Sequence, residues 1–131
     1  MKHLLDKIDK KLSPLEQAYL IQEEASKVGS DWENAEQVIE KIHEEIGEFK
    51  ENLQENDYEK MIDEFGDILM AVVNLARFTN IKPDIALERT LKKFRVRFAN
   101  IEKQLLKRGK TPQTSNLQEM DEIWNESKKI I

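Results

Sequence analysis

The chain has 131 residues, 39% of them apolar and 36% charged, with no cysteine, four glycines and three prolines. A single domain of that length buries an ordinary core without staples, which become necessary only below roughly 40 residues, and the lack of cysteine removes thiol nucleophiles, redox pairs and cysteine-based metal sites. With 26 acidic against 21 basic side chains the net charge is −5, the wrong sign for a general nucleic-acid binder.

The longest unbroken apolar run, Ile68 to Val73, is six residues, far short of the roughly 20 that span a bilayer. No membrane segment is expected, and the opening Lys2-His3-Leu4-Leu5 lacks an apolar stretch of signal-peptide length before Asp6. The protein is read as cytoplasmic.

Sparse glycine and proline with apolar residues at steps of three and four predict an all-α domain of about five helices. Residues 1–13 form a loosely amphipathic helical extension carrying Leu4, Leu5, Ile8 and Leu12, and residues 14–131 form one domain. Ser13-Pro14-Leu15-Glu16 supplies an N-cap, a proline at the first helical position and a capping-box glutamate. That helix ends before Gly29. A second carries Ala35, Val38, Ile39, Ile42, Ile46, Phe49 and Leu53 on one stripe and stops near Asn56-Asp57.

The third helix, about Tyr58 to Phe78, is apolar nearly all round over 68–73, the pattern of a helix buried on more than one side. One face can pack inside the subunit and another across a twofold interface, so at least a homodimer is expected. A fourth helix begins at Pro83, repeats Leu87, Leu91, Phe94, Phe98, Ile101 and Leu105, and ends at Gly109. After a loop over 110–115, Ser115 or Asn116 caps a fifth helix carrying Leu117, Met120, Ile123 and Trp124.

The second helix carries Glu40, Glu44, Glu45, Glu48 and Glu51 against only Lys41 and Lys50. Like charges three or four apart each cost a few tenths of a kcal/mol, so such a run calls for solvent or a cation. A solvated acidic face satisfies any one run. Glu64 and Asp67 repeat on the third helix the three-residue spacing of Glu45 and Glu48, and two antiparallel helices can gather four such carboxylates at one place. Asp67 adjoins the apolar run, where an unpaired charge is expensive, so a partner is expected for it. Gly47 and Gly66 lie inside the two acid pairs, where a small residue admits a close backbone or a ligand. Oxygen ligands without histidine or cysteine select hard cations, Mg²⁺ or Mn²⁺.

Lys92, Lys93, Arg95, Arg97 and later Lys128 supply the opposite charge. Alone they are a solvated basic face, or salt-bridge partners of the acidic helix; beside a carboxylate-held metal they are a means of gripping polyphosphate. His43-Glu44-Glu45-Ile46-Gly47 lacks the second histidine of a zinc-protease motif, and four scattered glycines make neither a P-loop nor a dinucleotide fingerprint. Asn74, seven residues past Asp67, either approaches a ribose or base or makes a buried hydrogen bond within the bundle. Trp124 has a parallel choice between the core or an interface and a base.

Glu44-Glu45-x-x-Glu48, fifteen residues, then Glu64-x-x-Asp67 resembles the signature of the MazG nucleotide pyrophosphohydrolases. So do Val28-Gly29-x-Asp31-Trp32, Val73 to Phe78, Lys93-Phe94-x-x-Arg97-Phe98, Arg108-Gly109-Lys110 and Met120-Asp121-x-x-Trp124-x-x-x-Lys128, over about 14–129. Asp63 stands where the signature has a longer acid, and Gly47 where it has leucine.

The resemblance implies an all-α, intertwined dimer that hydrolyses a nucleoside triphosphate to the monophosphate and pyrophosphate. It makes Glu45, Glu48, Glu64 and Asp67 the Mg²⁺ ligands and Glu44 a further ligand or water-orienting base. Lys93, Arg97 and Lys128 contact phosphates, and Trp124 lies near the nucleoside. A related pyrophosphohydrolase for phosphoribosyl-ATP or one particular dNTP, and a helical dimer that binds nucleotides without turning them over, are the alternatives. Pyrophosphate release separates the last of these from an enzyme.

Overall fold

A computed structural model describes residues 2–131. Met1, where the expected N-terminal extension begins, lies outside them. The described residues form five α-helices and two 3-10 turns: α1 (Pro14–Lys27), α2 (Ala35–Gln54), α3 (Tyr58–Phe78), α4 (Pro83–Lys107) and α5 (Leu117–Ser127). No strand occurs among them. The 3-10 turns are Leu4–Lys7 and Pro112–Thr114.

Four of the five helix starts carry a local reason. Ser13, Asn34, Asp57 and Asn116 accept with their side chains from the backbone N–H three residues on, capping α1, α2, α3 and α5. The ends of α1 to α4 share one device, a residue in the left-handed region: Gly29, Asn56, Asn80 and Gly109. At Gly29 its N–H reaches the Ser26 carbonyl at 3.1 Å and the next N–H, of Ser30, reaches Ala25 at 3.0 Å. That pairing satisfies carbonyls the helix leaves open, and glycine or asparagine tolerates the required φ.

The N-terminal segment differs from its expected helix. Only Leu4–Lys7 is helical, as a single 3-10 turn. Asp6 accepts from the His3 N–H at 2.9 Å and Asp9 from the Lys11 N–H at 2.8 Å, and such local side-chain bonds compete with a helical ladder. An ion pair of 2.6 Å between Lys7 and Glu24 ties the turn to α1.

The chain divides into two compact units, residues 1–85 and 86–131, each described by itself. In the first, α2 and α3 pack together as a hairpin and α1 lies on α3. Tyr19, Val38 and Val73 are its buried apolar side chains, and Phe49 meets Phe65 edge-on with ring centroids 5.7 Å apart. Gln22 of α1 donates to the Met70 carbonyl of α3 at 3.1 Å. The Lys82 ammonium stands 4.4 Å from the Tyr19 ring centre, where the ring's negative face attracts it.

In the second unit Ile101 and Leu105 of α4 and Ile123 of α5 form a buried cluster, with Met120 and Trp124 packed against it. The Ser127 hydroxyl, also buried, donates to the Ile123 carbonyl at 2.9 Å and accepts from Asn100 at 2.8 Å. Glu119, at the third position of α5, is held down to about 2 by a hydrogen bond from Ser115 and by Arg108 and Lys110. No helix among the described residues is long and apolar enough to cross a membrane.

Candidate metal and nucleotide site

The α2–α3 hairpin does what the two three-residue spacings predict for three of the four acids. Glu45, Glu48 and Glu64 each place a carboxylate oxygen within 4.8 Å of the others. Glu45 and Glu64 are buried, at 6% and 8% exposure, while Glu48 is open to solvent. The fourth, Asp67, is exposed and stands outside this triplet. It lines a cavity of about 340 Å³ with Glu45, Lys41 and Asn74. Among the described residues Asp67 has no hydrogen-bond or ion-pair partner, and its exposure lets water solvate the charge.

Crowding three acids redistributes their protons. Glu64 is pushed up to about 8, first by a proton shared with Glu45, then by burial and by Glu48. Glu45 is held below the ordinary carboxylate range by that same contact with Glu64 and by Lys41, whose ammonium lies 2.8 Å from Glu45 Oε1. Apart from such a shared proton, Glu45 Oε2 and Glu64 Oε1 have no hydrogen-bond partner although both are buried. Buried carboxylate oxygens without donors are costly. A hard divalent cation takes this kind of oxygen set, so the residues present fit one.

Lys41 was not among the residues singled out from the sequence for the site. Its signal was present as the i, i+4 relation to Glu45, which puts both on one helix face. Glu44 faces solvent and makes a longer contact to Lys41, at 3.5 Å. His43 is exposed. At neither Gly47 nor Gly66 would a Cβ meet another atom of the described residues within 4 Å, so no close backbone approach within the chain requires either glycine.

Asn74 is buried at 6% exposure, and its Oδ1 accepts from Arg77 Nε at 2.9 Å. The buried hydrogen bond of the two sequence readings is therefore present. Asn74 nevertheless also lines the cavity that holds Glu45 and Asp67.

In the second unit Lys93 is exposed on α4 and Lys128 is exposed at the end of α5. The Arg97 guanidinium lies 5.4 Å from the Trp124 ring centre, donates to the Ile131 carbonyl at 2.6 Å and leaves its buried Nε without an acceptor. Trp124 packs on the Ile101, Leu105 and Ile123 cluster, and its ring centre is 5.0 Å from that of Phe94. This satisfies the core reading of Trp124 and leaves one ring face to a cation.

The profile of the MazG nucleotide pyrophosphohydrolase domain matches residues 33–101, the stretch holding all four expected carboxylate ligands together with Lys93 and Arg97. The chain belongs to the MazG family. A protein of Thermotoga maritima named nucleoside triphosphate pyrophosphohydrolase/pyrophosphatase MazG is 41% identical over 114 residues, 87% of this chain and 44% of that protein. An Escherichia coli nucleoside triphosphate pyrophosphohydrolase is 36% identical over 127 residues, 95% of this chain and 48% of its own length. A Bacillus subtilis protein named YabN is 49% identical over 65 residues, half of this chain and 13% of that protein. This MazG chain thus spans about half the length of the first two relatives.

Proposed function

We propose that this chain hydrolyses nucleoside triphosphates to the monophosphate and pyrophosphate, with Mg²⁺, or Mn²⁺ in its place, bound by Glu45, Glu48, Glu64 and Asp67. The observation that carries the reading is the convergence of Glu45, Glu48 and Glu64 on the α2–α3 hairpin, with two buried carboxylate oxygens lacking donors, inside the stretch that matches the family. The names of the T. maritima and E. coli relatives support the substrate class. We take residues 14–131 as the single catalytic domain and a homodimer as the smallest active assembly.

A bound divalent cation supplies charge neutralisation at the phosphates and lowers the pKa of water it binds. The protein's own part is to hold that charge in place and position the substrate. Glu45 and Glu64, buried and fixed by packing, present oxygens that solvent does not satisfy. With a cation bound there, Glu64 would serve as the carboxylate, because the added positive charge would offset the neighbouring acids that keep it protonated. Glu44, exposed beside this set, is the candidate to orient water or add a ligand. Lys93, Arg97 and Lys128 neutralise phosphate oxygens; Trp124, which carries the Arg97 guanidinium on one face, lies near the nucleoside.

The deciding assay follows pyrophosphate release from a nucleoside triphosphate with and without Mg²⁺, with orthophosphate release measured alongside. Magnesium-dependent pyrophosphate is the expected product. Orthophosphate alone would replace this reading with a phosphatase, and no product from the canonical and deaminated triphosphates would replace it with a binding module.

A further inference from the structure

The net charge of −5 conceals a division along the chain. Residues 1–85 carry 20 acidic and 10 basic side chains, whereas residues 86–131 carry 6 acidic and 11 basic. In each unit part of that excess lies on one long helix, on a face that the proposed metal and phosphate residues leave unused.

On α2, Glu36, Glu40, Glu51 and the C-cap Glu55 lie at steps of four, eleven and four residues, close to whole numbers of turns, so they share one row. All four are exposed and have no ion-pair partner among the described residues. The two lysines of α2, Lys41 and Lys50, stand about a quarter-turn to either side of the row. On α4, Arg89, Lys92, Lys103 and Lys107 lie at steps of three, eleven and four. They too are exposed, without an ion-pair partner among the described residues, and the acids Glu88 and Glu102 fall to one side of their row. Each helix thus presents two charge doublets with centres about 22 Å apart at 1.5 Å per residue, acidic on α2 and basic on α4. Like charges so placed repel along their own helix, and each row is what the other lacks.

Midway between the acidic doublets lies Gly47, and between the basic ones Val96, which is 41% exposed. Glycine weakens a helix interior, yet a Cβ at Gly47 would meet nothing within 4 Å. A side chain arriving from outside the chain gives this notch a use.

We propose that α4 of one copy docks antiparallel on α2 of a second copy. Lys103 and Lys107 then face Glu36 and Glu40, Arg89 and Lys92 face Glu51 and Glu55, and Val96 falls opposite Gly47. The parallel register matches the doublets equally well but sets Val96 on Glu44, an acid, so the apolar knob selects the antiparallel one. One exposed ion pair contributes little. A twofold axis repeats the whole contact, α4 on α2 and α2 on α4, and the missing side chain at Gly47 lets the helices approach. A nucleic-acid backbone would satisfy the basic row alone and leave the acidic row and Gly47 without a partner. The contact is separate from the proposed homodimer, which rests on the apolar side of α3, and would join two such assemblies.

The test is the mass in solution by light scattering at about 20 mM and about 500 mM NaCl, between which the screening length falls from about 20 Å to about 4 Å. The low-salt mass is expected to be twice the high-salt mass. The double variant Lys103→Glu with Lys107→Glu, and separately Glu36→Lys with Glu40→Lys, should show the high-salt mass in both buffers. Mixing these two variants should restore the doubled mass, because each then supplies the charge the other needs. Gly47→Leu, which fills the notch with every charge intact, should lose it.

A wild-type mass independent of salt, any of these variants keeping the doubled mass by itself, or a mixture that stays at the high-salt mass would each overturn the contact. A salt-independent mass together with oligonucleotide binding that Lys103→Glu with Lys107→Glu abolishes would assign the basic row to a nucleic acid instead. The homodimer is judged separately by the high-salt mass: a monomer there that doubles at low salt removes the homodimer and keeps this contact.

Discussion

Glu48 and Asp67 are the two proposed ligands that face solvent, so removing either carboxylate empties a place at the cation without opening the core. Glu48→Ala and Asp67→Ala are each expected to lower turnover by about two orders of magnitude or more with an unchanged far-ultraviolet circular dichroism spectrum. Retained activity in both variants would sink the metal-site assignment. Glu64 makes a different prediction, in the absence of metal. Its folded pKa of about 8 lies above the ordinary 4.5, so between those values the folded chain keeps a proton that the unfolded chain loses. The stability contributed by Glu64 is therefore complete below about pH 4.5 and is lost as pH rises toward 8. With a chelator present, the stability of the wild type relative to Glu64→Gln should fall across that window in urea titrations, and a flat difference would contradict it. The pairing of Glu45 with Glu48 and of Glu64 with Asp67 was legible in the chain because helical periodicity puts the two members of each pair on adjoining turns of one helix. Which of them keeps a proton was not legible, because that depends on burial and on the distance across the hairpin.

Helix boundaries were the most legible feature of the elements. Ser13-Pro14, Asn34, Asp57 and Asn116 are caps that act within four residues, and Gly29, Asn56 and Gly109 end helices through their own backbone preference. Residues 4–12 misled for the same reason in reverse: the apolar spacing suggested a helix, but Asp6 and Asp9 spend their carboxylates on nearby N–H groups. In α4 and α5 the apolar repeat correctly marked Ile101, Leu105 and Ile123 as inward, yet left Phe94 and Leu117 exposed at 54% and 72%. Leu105 is fully buried in that cluster. Leu105→Ala should cost about 2–5 kcal/mol of unfolding free energy by the usual penalty for a core cavity, measured by chemical denaturation. A cost below about 1 kcal/mol would mean that the cluster collapses around the missing side chain.

At the scale of the whole molecule, the apolar girdle expected on the third helix is present but only partly covered. Val73 is buried, whereas Ile62, Phe65, Leu69 and Val72 of α3, together with Ile46 and Leu53 of α2, are between 42% and 51% exposed. Their spacing of three and four makes one stripe on α3, and a contiguous apolar face of that kind is costly in water. This is the physical case for the proposed homodimer. Light scattering at micromolar concentration should give at least twice the mass of the chain, and Leu69→Lys, which sets a charge in the middle of the stripe, should shift it toward the monomer. A monomeric wild type would remove the proposal and its account of the exposed face. The sequence by itself determined the helical class, nearly every helix boundary, the pairing of acids by spacing and the family resemblance, since these depend on contacts within a few residues or on order along the chain. Only the tertiary structure decided that three acids converge while Asp67 stands apart, that Lys41 joins them, and that Asn74 lines the cavity that holds Glu45 and Asp67. Those depend on how α1, α2 and α3 rotate about their axes when they pack, and a rotation of one helix changes which neighbours every side chain meets without changing any local preference along it.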